Sequence, residues 1–131
     1  LFFGFDMGQL AVATPENVES WLLDPGIIRH RGKLNAMIGN AQSALNMQDF
    51  AGFLWQFAPV KARKSKNFDV PAQTDESNLM SKALKAQGFR FVGPTICYAF
   101  MQSAGMVNDH HVHCWRYASC QKLLKDALQT V

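Results

Sequence analysis

Apolar residues recur at helical spacing in several segments of the chain, and turn residues separate these segments. Between residues 31 and 46 the apolar positions lie three or four apart, which predicts a helix with one buried face. Similar patterns predict helices over residues 15–22, 49–57, 75–87, 95–104 and 119–129. The predicted core positions are Leu34, Met37, Ile38, Ala41 and Leu45, then Ile96, Phe100 and Met101, and finally Leu123, Leu124 and Leu128.

Residues with defined roles at helix ends stand beside these segments. Thr14 before Pro15 is a helix N-cap followed by a residue suited to the first helical position. Gly88 sits where a helix ends in a left-handed turn, and Pro94 starts another helix. Residues 89–92 between them are too few for a paired strand. The pattern therefore predicts two helices joined by a tight hairpin.

The hairpin over residues 88–94 has the features of an anion site. Gly93 has no side chain to block a close approach, and the amides that start the following helix point outward at the same place. A DNA phosphate is the obvious anion, and Arg90 adds positive charge nearby. The alternative is an ordinary helical hairpin that packs and binds nothing, and spacing alone favours this second interpretation.

The composition indicates the net charge of the chain and the cellular compartment in which it is expected. The chain has 131 residues, 48% of them hydrophobic, and a net charge of +3, which suit a single helical domain. Basic residues are grouped at Arg29, Arg31 and Lys33, as in proteins that bind polyanions, and again at residues 61–66. Solvated surface charge is the competing interpretation, and it is favoured for the second group. Three cysteines without disulfide spacing predict a reducing cytoplasm, and no apolar run predicts a membrane span.

His110 and Cys114 form a candidate pair of metal ligands. Three residues separate them, so a helical conformation would project both side chains from one face. Imidazole and thiolate are common zinc ligands, and structural zinc is nearly always four-coordinate. A rearranged site that also uses His111, His113 or Cys120 is conceivable but not favoured. The competing interpretation is that the pair packs without metal, and both outcomes stay open.

Three blocks of the sequence resemble one protein family. The main block, residues 88–110, reads GFRFVGPTICYAFMQSAGMVNDH and resembles the signature of the bacterial DNA-3-methyladenine glycosylase I family, within the helix-hairpin-helix DNA glycosylase superfamily. The resemblance extends back through ESNLMSKALKAQGF and includes DPGIIRHRGKLNAMIGNAQ at residues 24–42. It implies an all-α helix-hairpin-helix glycosylase fold, incomplete at its N-terminus. The residues that it implies for DNA binding are Gly88, Arg90, Val92, Gly93, Thr95, Arg29, Arg31 and Lys33.

The implied activity is hydrolysis of the N-glycosidic bond of 3-methyladenine in double-stranded alkylated DNA, a step of base-excision repair. Such an enzyme flips the damaged nucleotide into a pocket where aromatic side chains stack on the cationic base. In the family, the pocket residues and two of the four zinc ligands lie in a segment N-terminal to the start of this sequence. The resemblance therefore places no catalytic residue here and reduces the zinc site to His110 and Cys114. It also implies that this chain alone is weakly active or inactive.

Asn108 occupies the place of the aspartate that many members of the superfamily use in catalysis, and Asp109 is expected to be a helix cap. Two other functions stay open: a non-catalytic helix-hairpin-helix module that binds DNA, and a half protein that depends on a partner and exposes apolar surface. The expected location is the bacterial cytoplasm. The sequence predicts no oligomeric state.

Overall fold

The computed structural model describes residues 1–59 and 69–130, and within these ranges every regular element is a helix, so the protein is all-α as predicted. The basic group at residues 61–66 lies outside the described residues. None of the described helices is both long and apolar enough to cross a bilayer. After a short turn at Phe2–Phe5, the helices are α1 Met7–Ala11, α2 Pro15–Leu22, α3 Arg31–Leu45, α4 Phe50–Trp55, α5 Asp75–Ala86, α6 Pro94–Ser103 and α7 Tyr117–Thr130.

The chain divides into two compact units, each built from two stretches of sequence. Unit 1 comprises Leu1–Phe50 and Leu84–Val92, and unit 2 comprises Ala51–Ala83 and Gly93–Val131. The single domain expected from the chain length stays a prediction. Each unit is described in turn.

Helix α3 supplies one side of the core of unit 1 and packs against α1. Leu34 and Ala41 are buried there as predicted, and Met37 and Ile38 are partly buried. The prediction for Leu45 is wrong, since its side chain is 51% exposed. Small residues take part in the buried face instead, because an alanine lets a neighbouring helix approach closely although it contributes little to an apolar pattern. The core residues of unit 1 are Leu10, Val18, Trp21, Leu34 and Ala41, with Ala36 and Ala44 also buried.

The predicted helix ends near and within unit 1 are confirmed. The backbone N–H of Thr14 donates to Asn17 Oδ1 at 2.8 Å, which completes the N-terminal cap of α2 ahead of Pro15. At the other end of the unit, Gly88 has a φ of +87° and its N–H donates to the Lys85 carbonyl at 3.0 Å. The next amide, that of Phe89, donates to the Leu84 carbonyl at 3.1 Å. This pair of bonds is the Schellman motif that ends α5.

Unit 2 buries a different face of α6 from the one predicted. Met101 is fully buried as predicted, but Ile96 and Phe100 are 60% and 39% exposed. Cys97 and Tyr98 are buried in their place. The sequence of α6 is apolar on most of its circumference, so periodicity does not select a face. The polar contact of the Tyr98 hydroxyl described below stabilises the face that is buried.

Helix α7 shows the same kind of difference. It begins at Tyr117, two residues before the predicted start, because the turn that precedes it continues into the helix without a break. Leu124 is buried as predicted, whereas Leu123 and Leu128 are 68% and 41% exposed, so the prediction for these two is wrong. Consecutive leucines cannot both face the same way on a helix, since neighbouring residues are about 100° apart.

Candidate nucleic-acid interface and candidate metal pair

The segment Gly88–Val92, which follows α5 in unit 1, is accessible and forms no strand. Phe89 is its anchor: the side chain is buried and its ring stacks on that of Phe50, with centroids 5.6 Å apart. The next two residues, Arg90 and Phe91, are exposed. Phe89 therefore anchors the segment, while Arg90 and Phe91 are accessible to solvent.

Phe91 holds an unusual backbone conformation in this segment. Its φ is +57°, in the left-handed region that residues other than glycine seldom adopt, at a cost of about 1–3 kcal/mol. The ring lies edge-on to the His30 imidazole with centroids 5.7 Å apart. His30 is itself fixed, because its Nδ1 accepts the N–H of Lys33 at 3.1 Å and caps α3. Sequence reasoning missed this contact, since nothing in the spacing of residues 30 and 91 indicates it.

Gly93 and the first turn of α6 belong to unit 2 and follow directly in the chain. Gly93 is the N-cap of α6, with φ −65° and ψ 161°, and Pro94 occupies the first helical position as predicted. A Cβ added at Gly93 would meet no atom within 4 Å, so the space beside its backbone is open. Thr95 and Ile96 are exposed. Their backbone N–H groups lie in the first turn of α6, where no carbonyl of the same helix can accept a hydrogen bond from them. The space on the Cβ side of Gly93, at this end of α6, is therefore free of described protein atoms.

The three grouped cations that are predicted, with Arg90, to bind DNA differ in their surroundings. Arg29 and Lys33 are exposed, and no ion pair within the described part of the chain includes them. Arg31 forms a two-pronged ion pair with Glu19, in which one guanidinium nitrogen lies 3.0 Å from Glu19 Oε2. The hydrogen bond from Arg31 lowers the pKa of the Glu19 carboxyl. Arg31 must share its charge with Glu19, so Arg29 and Lys33 are the stronger candidates for phosphate contacts.

His110 and Cys114 lie close together in unit 2, in a turn and not on a helix. The Cys114 N–H donates to the His111 carbonyl at 2.8 Å, and this turn brings Cys114 Sγ to 3.6 Å from His110 Nδ1. Zinc bonds of about 2.3 Å to sulfur and about 2.05 Å to nitrogen, at a tetrahedral angle, place these two atoms about 3.6 Å apart. The pair therefore has the separation of two ligands on one zinc ion.

No further ligand joins the pair within residues 1–59 and 69–130, where no group of three or more His, Cys, Asp or Glu residues could hold a metal ion. His111 Nδ1 accepts the N–H of His113 at 3.3 Å, so this nitrogen is engaged within the turn. The rings of these two histidines contact each other instead, with centroids 5.2 Å apart. The geometry fits half of a zinc site and gives no support to a rearranged one.

Asn108 is buried and joins the two ends of the loop that carries the candidate ligands. Its Nδ2 donates to the carbonyl of Tyr117 at 3.0 Å, where α7 begins, and its Oδ1 accepts the N–H of His110 at 3.3 Å. Both ends of the amide are thus used inside the protein. Both polar atoms of the Asn108 side chain therefore make structural hydrogen bonds.

The expectation that Asp109 caps a helix is wrong. Its Oδ2 accepts a hydrogen bond of 2.5 Å from the Tyr98 hydroxyl and one of 2.9 Å from Gln102 Nε2, so the carboxylate is bound to the side of α6. No helix begins at Asp109, because the residues after it form turns up to Tyr117. The carboxylate serves to satisfy a buried tyrosine hydroxyl, which explains why Tyr98 and not Phe100 faces inward.

Comparison with known proteins gives one consistent family. The family model described as methyladenine glycosylase matches residues 1–117. The chain is 46% identical over 123 residues to DNA-3-methyladenine glycosylase 1 of Escherichia coli, and 40% identical over 120 residues to DNA-3-methyladenine glycosylase of Haemophilus influenzae. These alignments cover 88% and 86% of this chain, and 66% and 65% of the relatives. The chain thus spans slightly less than two thirds of their length.

Solved structures agree with the sequence comparison. A crystal structure of 3-methyladenine DNA glycosylase I matches with a TM-score of 0.80 and 43% identity, over 87% of this chain and 66% of that one. The Staphylococcus aureus enzyme, solved for its recognition of 3-methyladenine, matches with a TM-score of 0.78 and 28% identity, over 88% of this chain and 65% of that one. The all-helical fold of the described residues agrees with these solved structures. The chain belongs to the methyladenine glycosylase family.

Proposed function

We propose that the protein containing this chain is a DNA glycosylase that hydrolyses the N-glycosidic bond of 3-methyladenine in alkylated double-stranded DNA. The observation that carries the proposal is family membership over residues 1–117 together with the accessible segment before α6. The named relatives are DNA-3-methyladenine glycosylases, and the S. aureus structure concerns recognition of 3-methyladenine. Their bacterial sources support a cytoplasmic location, as do the free thiols of Cys97, Cys114 and Cys120.

In this proposal the start of α6 in unit 2 binds the DNA backbone, and so do exposed cations of unit 1. The main-chain amides of Gly93 and Thr95 donate to a phosphate at the N-terminus of α6, where the helix dipole favours an anion. Arg90, Arg29 and Lys33 contribute positive charge for binding phosphates. These contacts hold the duplex in register but carry no information about the damaged base. Base recognition belongs to parts of the family's fold that this chain does not span.

The test of the proposed activity measures release of free 3-methyladenine from methylated duplex DNA by two proteins. One is the 131-residue chain, and the other is a chimera that joins it to the part of the E. coli relative left uncovered by the alignment. We expect the chimera to release the base at a rate on the order of 100-fold or more above that of the chain, because the base-binding groups are then present. The E. coli part alone is the negative control.

Two outcomes contradict the proposal in different ways. A chimera that is folded and binds duplex DNA but releases no base would indicate a non-catalytic DNA-binding module. Efficient release by the 131-residue chain would show that its own residues form the base pocket, against the assignment made above.

We also propose that His110 and Cys114 are two of four ligands of a structural zinc ion. The 3.6 Å between His110 Nδ1 and Cys114 Sγ supports it. Bound zinc would cross-link this loop to the part of the protein that supplies the other ligands, and it would not take part in hydrolysis. Two ligands bind zinc weakly, so the affinity for Zn²⁺ should be at least about 100-fold higher in the chimera than in the chain.

Competition with a chromogenic chelator measures this affinity. Cys114→Ser should lower the zinc affinity of the chimera, because only three of the four ligands remain, whereas Cys120→Ser, the matched control, should leave it unchanged. Equal zinc affinity in the chimera with and without Cys114 would exclude Cys114 as a ligand.

A further inference from the structure

The side chain of Asn40 makes two hydrogen bonds to the backbone of a residue fifty positions later in the chain. Asn40 Nδ2 donates to the carbonyl of Arg90 at 3.0 Å, and the Arg90 N–H donates to Asn40 Oδ1 at 2.9 Å. Both distances lie in the normal range for N–H···O bonds. Asn40 is on α3 and Arg90 is in the segment Gly88–Val92, both in unit 1.

This pairing supplies hydrogen-bond partners for the main-chain N–H and C=O groups of Arg90. Arg90 lies in neither a helix nor a strand, so no helix or strand ladder pairs its main-chain groups. The amide of Asn40 presents a donor and an acceptor side by side and pairs with Arg90 as a residue on a neighbouring strand would. The peptide groups on both sides of Arg90 are thereby fixed in direction.

Two aromatic contacts flank Arg90 in the segment, but they do not fix the direction of its peptide groups. Phe89 stacks on Phe50, and Phe91 lies edge-on to His30, and both are contacts between rings. Such contacts tolerate sliding and tilting, because dispersion is not directional. The two hydrogen bonds from Asn40 are directional and restrict the peptide groups of Arg90. Phe91 comes next in the chain with its left-handed φ of +57°.

The Arg90 side chain passes close to helix α3. A Cβ added at Gly39, the neighbour of Asn40, would lie 3.7 Å from an Arg90 guanidinium nitrogen, which is an ordinary contact distance. Helix α3 therefore binds the backbone of Arg90 through Asn40 and has the Arg90 guanidinium beside it near Gly39.

We propose that Asn40 is a positioning residue for DNA binding: it fixes the backbone of Arg90 so that the guanidinium and the peptide groups after it meet the phosphates together. The inference rests on the proposed function, since it assigns a role within the DNA-binding hairpin. Asn40 touches no DNA in this account and acts through Arg90.

The experiment compares Asn40→Ala with Asn35→Ala, an exposed asparagine on the same helix, in the 131-residue chain. Fluorescence anisotropy with a labelled duplex gives Kd over a range of salt concentrations, and hydrogen exchange reports the Arg90 amide. We expect Asn40→Ala to raise Kd about 10-fold, to lower the slope of log Kd against log salt by about 1, and to speed Arg90 exchange. Asn35→Ala should match the unchanged chain in all three.

A second variant keeps the test decisive if alanine disturbs the fold. Asn40→Gln retains both polar atoms on a longer stem, so its Kd should lie between those of the unchanged chain and Asn40→Ala. An Asn40→Ala protein that exchanges Arg90 quickly but binds within twofold of the unchanged chain overturns the inference and leaves the proposed function standing. A weaker affinity with an unchanged salt slope shows a structural role only and also overturns it. An unchanged chain that fails to bind duplex DNA overturns the proposed function, and the inference with it.

Discussion

Replacing Gly93 with valine should weaken binding to duplex DNA about tenfold or more, equivalent to about 1.4 kcal/mol, while the helices stay folded. The space beside the Gly93 backbone is open, and its φ of −65° is accessible to any residue. A valine therefore fits the protein but occupies the place from which a phosphate would reach the amides of α6. Anisotropy with a labelled duplex measures the affinity, and circular dichroism measures the helix content.

Two further variants separate loss of binding from loss of stability. Gly93→Asn provides a preferred helix N-cap, so it should keep or raise the stability of α6 while its side chain competes with phosphate for the same amides. Gly88→Ala should lower the free energy of unfolding by about 1–2 kcal/mol. The reason is that Gly88 has a φ of +87° and that an added Cβ would lie 3.3 Å from Ser43 Oγ. If both Gly93 variants bind DNA as well as the unchanged chain, the amides of α6 do not hold a phosphate.

Replacing Asn108 with aspartate should destabilise the protein by about 3 kcal/mol at pH 7, even though the two side chains have the same shape. Asn108 Nδ2 donates to the Tyr117 carbonyl at 3.0 Å. An ionised aspartate has no donor and would place a negative charge against that carbonyl in a buried site. The local contacts of Asn108 therefore favour an amide over a carboxylate at this position. Urea unfolding followed by circular dichroism measures the loss.

The pH dependence of this loss identifies its cause. Burial raises the pKa of an introduced aspartate above its unfolded value of about 3.9, so the penalty should be absent below pH 4 and grow as pH rises through the folded pKa. Asn35→Asp at an exposed position of α3 is the control, and it should change stability by less than about 0.5 kcal/mol. A similar small effect for Asn108→Asp would show that the bond to Tyr117 contributes little.

Helix ends were the part of the fold that local sequence could predict. Thr14 with Pro15, Gly88 and Pro94 each act through bonds to residues within a few positions, and the structure has all of them. Which face of a helix is buried depends on distant residues. The face of α6 was predicted wrongly because Asp109 selects Tyr98, and no periodicity within α6 contains that information.

In the candidate site, too, contacts between residues close in sequence could be predicted, whereas contacts between distant residues could not. His110 and Cys114 could be paired from their spacing, and they are close, although a turn and not a helix brings them together. Arg31 binds Glu19, 12 residues away, and Arg90 binds Asn40, 50 residues away. A pattern of residues within a few positions cannot predict either contact. Long-range polar contacts therefore decide which predicted DNA-binding residues are available and how they are oriented.

The most direct measurement of the central claim follows the backbone amide signals of the 131-residue chain by NMR while duplex DNA is added. The account predicts that the largest shifts occur at Arg90, Gly93, Thr95 and Ile96, and that these shifts reverse when salt is raised. If those amides stay unmoved while signals elsewhere in the chain shift, the segment before α6 is not the surface that binds DNA.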